Sequence, residues 1–263
     1  MARIKSTTFY QKSGKVANEV FSSLGNGEVG CRAKNSKQAP LNEEQKINAS
    51  GFSALNAEVR YLNPVLHVTF PRDTNGVKWA NRFTSVNKKR EGVLTTTKIH
   101  PDSPVDPKKK ANEEYTSEID WTKVLFAAGP LLIPSVTVSK ANLSREQIIA
   151  EKTRLRSLFA SLANAETPAV AAEEGEMYSI TFTQESAVYE GAYCWADDRI
   201  YGVIYSPEDH FALVQQLRDR GENGVTTIVV PSFVKPENIH VYSLAITADG
   251  KISSNSVHMP LGA

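Results

Sequence analysis

Apolar and polar positions change their period twice along this chain, and the changes divide it into regions. Over residues 12–34, short apolar and polar segments are punctuated by Gly14, Gly25, Gly27 and Gly30, which predicts a hairpin-like start. From Leu41 the period lengthens. Asn42-Glu43-Glu44-Gln45 reads as a helix opening with an Asn cap and an acidic first turn. Phe52, Leu55, Val59, Leu62 and Leu66 then recur at spacings of 3 and 4, one apolar helix face that should pack in a core. Gly51 weakens that helix, and Pro64 is expected to kink or end it. A second helix is expected over Val77–Lys89, with Trp79, Phe83 and Val86 on one side. Thr95 to Asn112, holding three prolines and Lys108-Lys109-Lys110, reads as a loop or linker.

Beyond that stretch the period shortens to that of strands. Candidates are Ser117–Phe126, Ser135–Lys140, Met177–Gln184, Ile200–Tyr205, Phe211–Gln216, Val225–Val230, His240–Thr247 and Ser256–Met259. Tyr178, Ile180 and Phe182 alternate with Ser179, Thr181 and Thr183, as a half-buried strand does. Ala248-Asp249-Gly250-Lys251 carries the strongest hairpin-turn signal. One helix interrupts the strands. Ser144 and Gln147 fit a capping box, followed by an apolar stripe of Ile148, Leu155, Leu158, Phe159 and Leu162. That stripe either covers its own sheet or meets a partner. The fold class expected is α+β: a small N-terminal β-hairpin/helical module, then an immunoglobulin-like β-sandwich with a helical insertion at about 143–163.

Charge adds a boundary that periodicity does not show. The 263 residues are nearly neutral overall, but residues 1–110 hold 19 Lys and Arg against 9 Asp and Glu, and residues 111–263 hold 11 against 20. The reversal from +10 to −9 suggests a basic domain over 1–110 and an acidic one over 111–263. Lys88, Lys89, Arg90, Lys108, Lys109 and Lys110 are the candidate contacts, either to nucleic-acid phosphates or to an acidic protein face. No apolar stretch approaches a membrane span and the first residues lack a secretory pattern, so a chain made in the cytoplasm is expected.

Catalytic chemistry is not visible. Cys31 and Cys194 stand alone, and His67, His100, His210, His240 and His258 show no metal-ligand spacing in sequence. No nucleophile elbow or phosphate loop occurs. Asp197-Asp198 and Glu208-Asp209-His210 are carboxylate clusters, but they fall between strands, where Asp is expected to serve turns. The expectation is therefore no enzyme, no cofactor and no metal. If the sandwich presents loops to a ligand or a cell surface, Tyr193 and Trp195 should be exposed.

A resemblance covers most of the chain in order. Gly14-Lys15-Val16-Ala17-Asn18, Arg32, Pro40, Gln45 and the helix at Phe52 resemble the opening of a family found in Bacteroidota and their phages. Glu118 to Leu125, Val203 to Pro207 and the closing segment His240 to Val257 resemble further segments of that family. The chain departs from it at Ala17, where Gly is usual, and in the insertion 143–163. The resemblance implies a small N-terminal module followed by an immunoglobulin-like domain, and supplies no catalytic residues. It also implies a virion structural protein of a tailed, crAss-like or related phage, a neck or tail ring component. Its partners would be copies of itself and neighbouring virion proteins.

Overall fold

A computed structural model describes residues 2–5, 14–16, 19–25, 28–33, 40–70, 78–106, 108–144, 146–150, 153 and 177–261. The chain divides into two compact units, Met1–Gln45 with Pro104–Lys109, and Lys46–Ser103 with Lys110–Ala263. The charge reversal at residue 110 is thus not the edge of a compact unit. Residues 46–103 belong with the strands that follow them, because the apolar face of their helices is buried on a sheet built from those strands.

The first unit contains an antiparallel sheet in the order β1-β4-β3-β2, from β1 (Ala2–Lys5), β2 (Gly14–Val16), β3 (Glu19–Gly25) and β4 (Glu28–Ala33). The hairpin expected at 12–34 is therefore part of a larger sheet, with the chain start added beside β4. Helix α1 (Glu43–Thr69) begins here with a reciprocal cap. The Gln45 amide donates to Asn42 Oδ1 at 2.8 Å, and the Asn42 amide donates to Gln45 Oε1 at 3.1 Å.

In the second unit, seven strands form two antiparallel sheets. β7 (Val136–Asn142), β8 (Tyr178–Gln184) and β11 (Gly224–Val230) lie in the order β11-β8-β7. β9 (Arg199–Ser206), β10 (Phe211–Asp219), β12 (His240–Ile246) and β13 (Val257–Met259) lie in the order β10-β9-β12-β13. The larger sheet is buried on both faces. Ile200, Ile204, Val241 and Ala245 point into one core with Tyr178, Ile180 and Phe182 of β8. Val203, Tyr205, Tyr242, Leu244 and Ile246 point the other way, into a second core with Leu55, Leu62, Val65 and Leu66 of α1 and Phe83 of α2 (Trp79–Lys89). Sheet, sheet and helices make three layers. Strands buried on both faces read as near-continuous apolar runs, and Val203 to Tyr205 and Val241 to Ile246 do so.

Three expectations are corrected. Pro64 neither ends nor interrupts α1, which runs through it to Thr69. Phe52 is not core: it is 47% exposed, because the first turns of α1 present Lys46, Ser50 and Gly51 to a hairpin instead. That hairpin pairs β5 (Leu94–Lys98) with β6 (Tyr115–Ile119), so the stretch read as a loop from Thr95 contains a strand and, at Ala111–Glu114, the short helix α3. A Cβ on Gly51 would stand 3.0 Å from Leu94 Cδ1, Ser50 Oγ donates to the Tyr115 carbonyl, and Lys46 forms a buried ion pair with Glu114. Close packing and paired polar groups replace apolar contact there. Ser144 does cap its helix, exchanging bonds with Gln147, and Ile148 is half-buried. Leu155, Leu158, Phe159 and Leu162 lie outside the described residues.

Candidate functional site

The described basic residues fall in both units. Lys108 and Lys109 belong to the first, and Lys110, Lys88, Lys89 and Arg90 to the second. All six are exposed. Lys88 and Lys89 occupy the last turn of α2, where cations complement the helix dipole. They also line a groove between α1 and α2 with Asn48, Phe52, Asn81 and Thr84. The Lys88 ammonium lies 5.9 Å from the centre of the Phe52 ring, so the groove is basic with an aromatic floor. Lys108 and Lys110 turn their backbone amides to the carboxylates of Asp106 and Glu113, which sets local loop geometry.

A second surface is built by the connection from β8 to β9. Val188, Tyr189, Tyr193 and Trp195 are 46%, 58%, 57% and 46% exposed, and Ile133 on an adjoining segment is 45% exposed. The Tyr193 and Trp195 rings meet edge to face with centres 5.4 Å apart. Leu132 donates its amide to the Tyr193 carbonyl at 2.9 Å, tying that segment to the loop. Glu185, Glu190 and Asp197 of the same connection are exposed and it holds no Lys or Arg, which makes this loop acidic.

The loop is held from beneath by a pair that the turn reading missed. Asp198 is 0% and Arg220 1% exposed. Arg220 Nε donates to Asp198 Oδ2 at 2.9 Å, and its Nη2 donates to the Leu132 carbonyl. Asp198 Oδ2 also accepts the Trp195 amide at 3.0 Å. Backbone bonds from Arg220 to Asp198 and from Gly221 to Ala196 complete the clamp, and Cys194 is buried against Tyr189. The exposed aromatics therefore stand on a fixed base. Preorganisation of this kind lowers the entropic cost of binding. One Asp followed by a buried Arg more than twenty residues later leaves no local sequence signal, so pattern reading could not find it.

The other carboxylate cluster serves its turn as well, as Asp198 does through the Trp195 amide. Asp209 Oδ2 accepts from Ser206 Oγ at 2.7 Å and from the Lys235 amide at 3.1 Å. His210 has φ of 51° and stacks flat on Tyr61, with ring centres 3.9 Å apart. Burial, then the hydrogen bond to Glu58, raises the Tyr205 hydroxyl far above its ordinary value, and burial does the same for Tyr242. Such groups stay protonated and act as fixed hydrogen-bond donors: Tyr205 to Glu58 and Tyr242 to the Trp121 carbonyl.

Among the described residues, no group of three or more His, Cys, Asp or Glu is placed to hold a metal ion. No described helix is long and apolar enough to cross a membrane. Comparison with models of protein families, with curated proteins and with solved structures gives no match.

Proposed function

We propose that the chain is a non-enzymatic structural component of a tailed-phage virion, a neck or tail ring protein whose copies associate through heterologous contacts. The observation that carries the assembly part is a pair of unlike exposed surfaces in one unit. One is the basic groove of Phe52, Lys88 and Lys89, and the other is the acidic loop of Tyr193 and Trp195. Each has an apolar centre and charge of opposite sign. A contact that joins the groove of one copy to the loop of the next uses two different patches, so it propagates and can close into a ring. The virion setting is carried by the resemblance of the segments quoted above.

The strand arrangement supports an immunoglobulin-like reading of the sandwich. Of the seven strands β7–β13, the first, second and fifth share one sheet, and the third, sixth and seventh share the other with the fourth. Immunoglobulin-type sandwiches distribute their first, second, fifth and their third, sixth, seventh strands in this way.

Light scattering at low and high salt tests the assembly. The expected result is a mass well above the 28.9 kDa of one chain at low salt, falling as salt screens the charged surfaces. Lys88→Glu with Lys89→Glu, and separately Trp195→Ala, should each give monomers. Mixing those two proteins should give pairs and nothing larger, since each supplies only one working surface. A wild-type monomer at all concentrations and salts would overturn self-assembly through these surfaces. In that case the exposure of Tyr193 and Trp195 favours a ligand- or surface-binding module, tested by binding of the chain to cell-surface glycans. A DNA-contacting accessory role would instead show as DNA affinity that falls steeply with salt and is lost with Lys88, Lys89 and Arg90.

A further inference from the structure

Two histidines that are eighteen residues apart in sequence meet on neighbouring strands. β12 and β13 pair antiparallel with Tyr242 opposite His258. Residues two apart on a strand share a face, so His240 stands diagonal to His258 on the same side of the sheet. His240 Nδ1 and His258 Nε2 are 3.4 Å apart, with ring centres 5.6 Å apart, so the nitrogens face each other across the gap. That separation is long for a hydrogen bond from nitrogen. Two nitrogens bound to one tetrahedral zinc ion at about 2.0–2.1 Å lie about 3.3–3.4 Å apart.

The surroundings suit a cation. Trp121 lies 6.5 Å from His240 and Tyr242 lies 5.3 Å from His258, ring centre to ring centre, and these rings wall the pair. β13 is the last strand of its sheet and both histidines are half-buried, so water and ions can reach them. The Asp120 carboxylate, one residue before Trp121, acts electrostatically on both rings. It is held by Thr122 and Lys123 and kept ionised below the usual carboxylate range. A neutral imidazole offers one ring nitrogen lone pair to a metal ion, and here Nδ1 of His240 and Nε2 of His258 are the two nitrogens turned to the shared gap.

We propose that His240 and His258 form a cross-strand chelate for a divalent transition-metal ion of the zinc class. The remaining coordination positions face solvent and take water or a ligand from a partner. The inference is independent of the assembly reading, since it rests on one chain.

Calorimetric titration of zinc chloride into the full chain, carrying no added histidine tag, tests it. One zinc ion per chain with a micromolar Kd is expected near neutral pH. His240→Gln and His258→Gln should each weaken binding by about tenfold or more, Asp120→Asn by less, and His100→Gln not at all. Zinc should also raise the urea midpoint of the wild type, by binding the folded chain, and leave that of the two histidine variants unchanged. Urea transitions in EDTA show whether each variant folds. If one does not, the other histidine variant and the wild-type titration carry the test. Absence of saturable zinc binding by the wild type, or binding that survives both histidine substitutions, overturns the proposal.

Discussion

Asp198 and Arg220 show how a single pair can carry both stability and shape. Each is buried; Asp198 accepts the Trp195 amide of the exposed loop, and Arg220 holds the Leu132 carbonyl of the segment tied to that loop. Removing one partner strands the other charge in a low-dielectric interior. Arg220→Ala should therefore destabilise the fold by about 3–5 kcal/mol, measured by urea denaturation. Replacing both, as Arg220→Met with Asp198→Leu, should recover much of that loss, since no charge is left uncompensated. The loop would still lose its anchors, and faster amide exchange at Trp195 would report it. At His240 and His258 the protonation state matters. Both have folded-state pKa values below the ordinary 6.5, so the unfolded chain binds more protons at mildly acidic pH. Their contribution is fully present above pH 6.5 and is lost as pH falls through the lowered folded-state values, about 4 for His240. His240→Gln should flatten that part of the stability profile relative to wild type.

At the scale of elements, close approach sets the tolerances. β9 packs so tightly on β8 that a Cβ at Gly202 would lie 2.7 Å from the Phe182 ring. Both are in the buried middle of the sandwich, so Gly202→Ala should cost about 1–3 kcal/mol, read from the urea midpoint. In contrast, Pro64 sits on the exposed side of α1 and offers no amide to the turn before it. Pro64→Ala restores a helical hydrogen bond and should raise stability by about 1 kcal/mol, partly offset by a freer unfolded chain. One side chain of α2 bonds the backbone of the segment after β6. Asn87 donates to the Leu125 carbonyl at 2.8 Å and accepts the Leu125 amide at 2.7 Å, as a neighbouring strand would. The side chain substitutes for a missing backbone partner.

For the whole molecule, charge and compactness divide the chain differently. The basic-to-acidic break lies near residue 110, whereas the helices of residues 46–103 share a core with the acidic strands. The second unit therefore carries its own basic face and its own acidic face. A chain whose basic and acidic surfaces belonged to separate units could pair them by hinging on itself. Here both are fixed to one body, which favours contact between copies. The predicted salt sensitivity of the solution mass, and its loss on reversing Lys88 and Lys89, follow from this.

Local pattern determined most of the elements. The strands from Val136 onward, the caps at Asn42 and Ser144 and the end of α2 at Lys89 were legible because each depends on neighbours within a few residues. The Asp249-Gly250 turn was legible too, with Gly250 at φ of 72°. However, it returns the chain to a bridge between Ile246 and Ser253 rather than straight into β13. Strand β5 was hidden because Leu94-Thr-Thr-Thr-Lys98 has a single large apolar residue and is half-buried only by its hairpin partner and α1. That Phe52 falls outside the core face which Leu55, Leu62 and Leu66 form, the depth of Asp198, the support under Tyr193 and Trp195, and the meeting of His240 with His258 were decided by tertiary structure alone. Each joins residues from different elements, and the free energy of such a contact exists only once the layers have packed. A one-dimensional pattern records which residues can be buried or paired, and the packing selects which of them are.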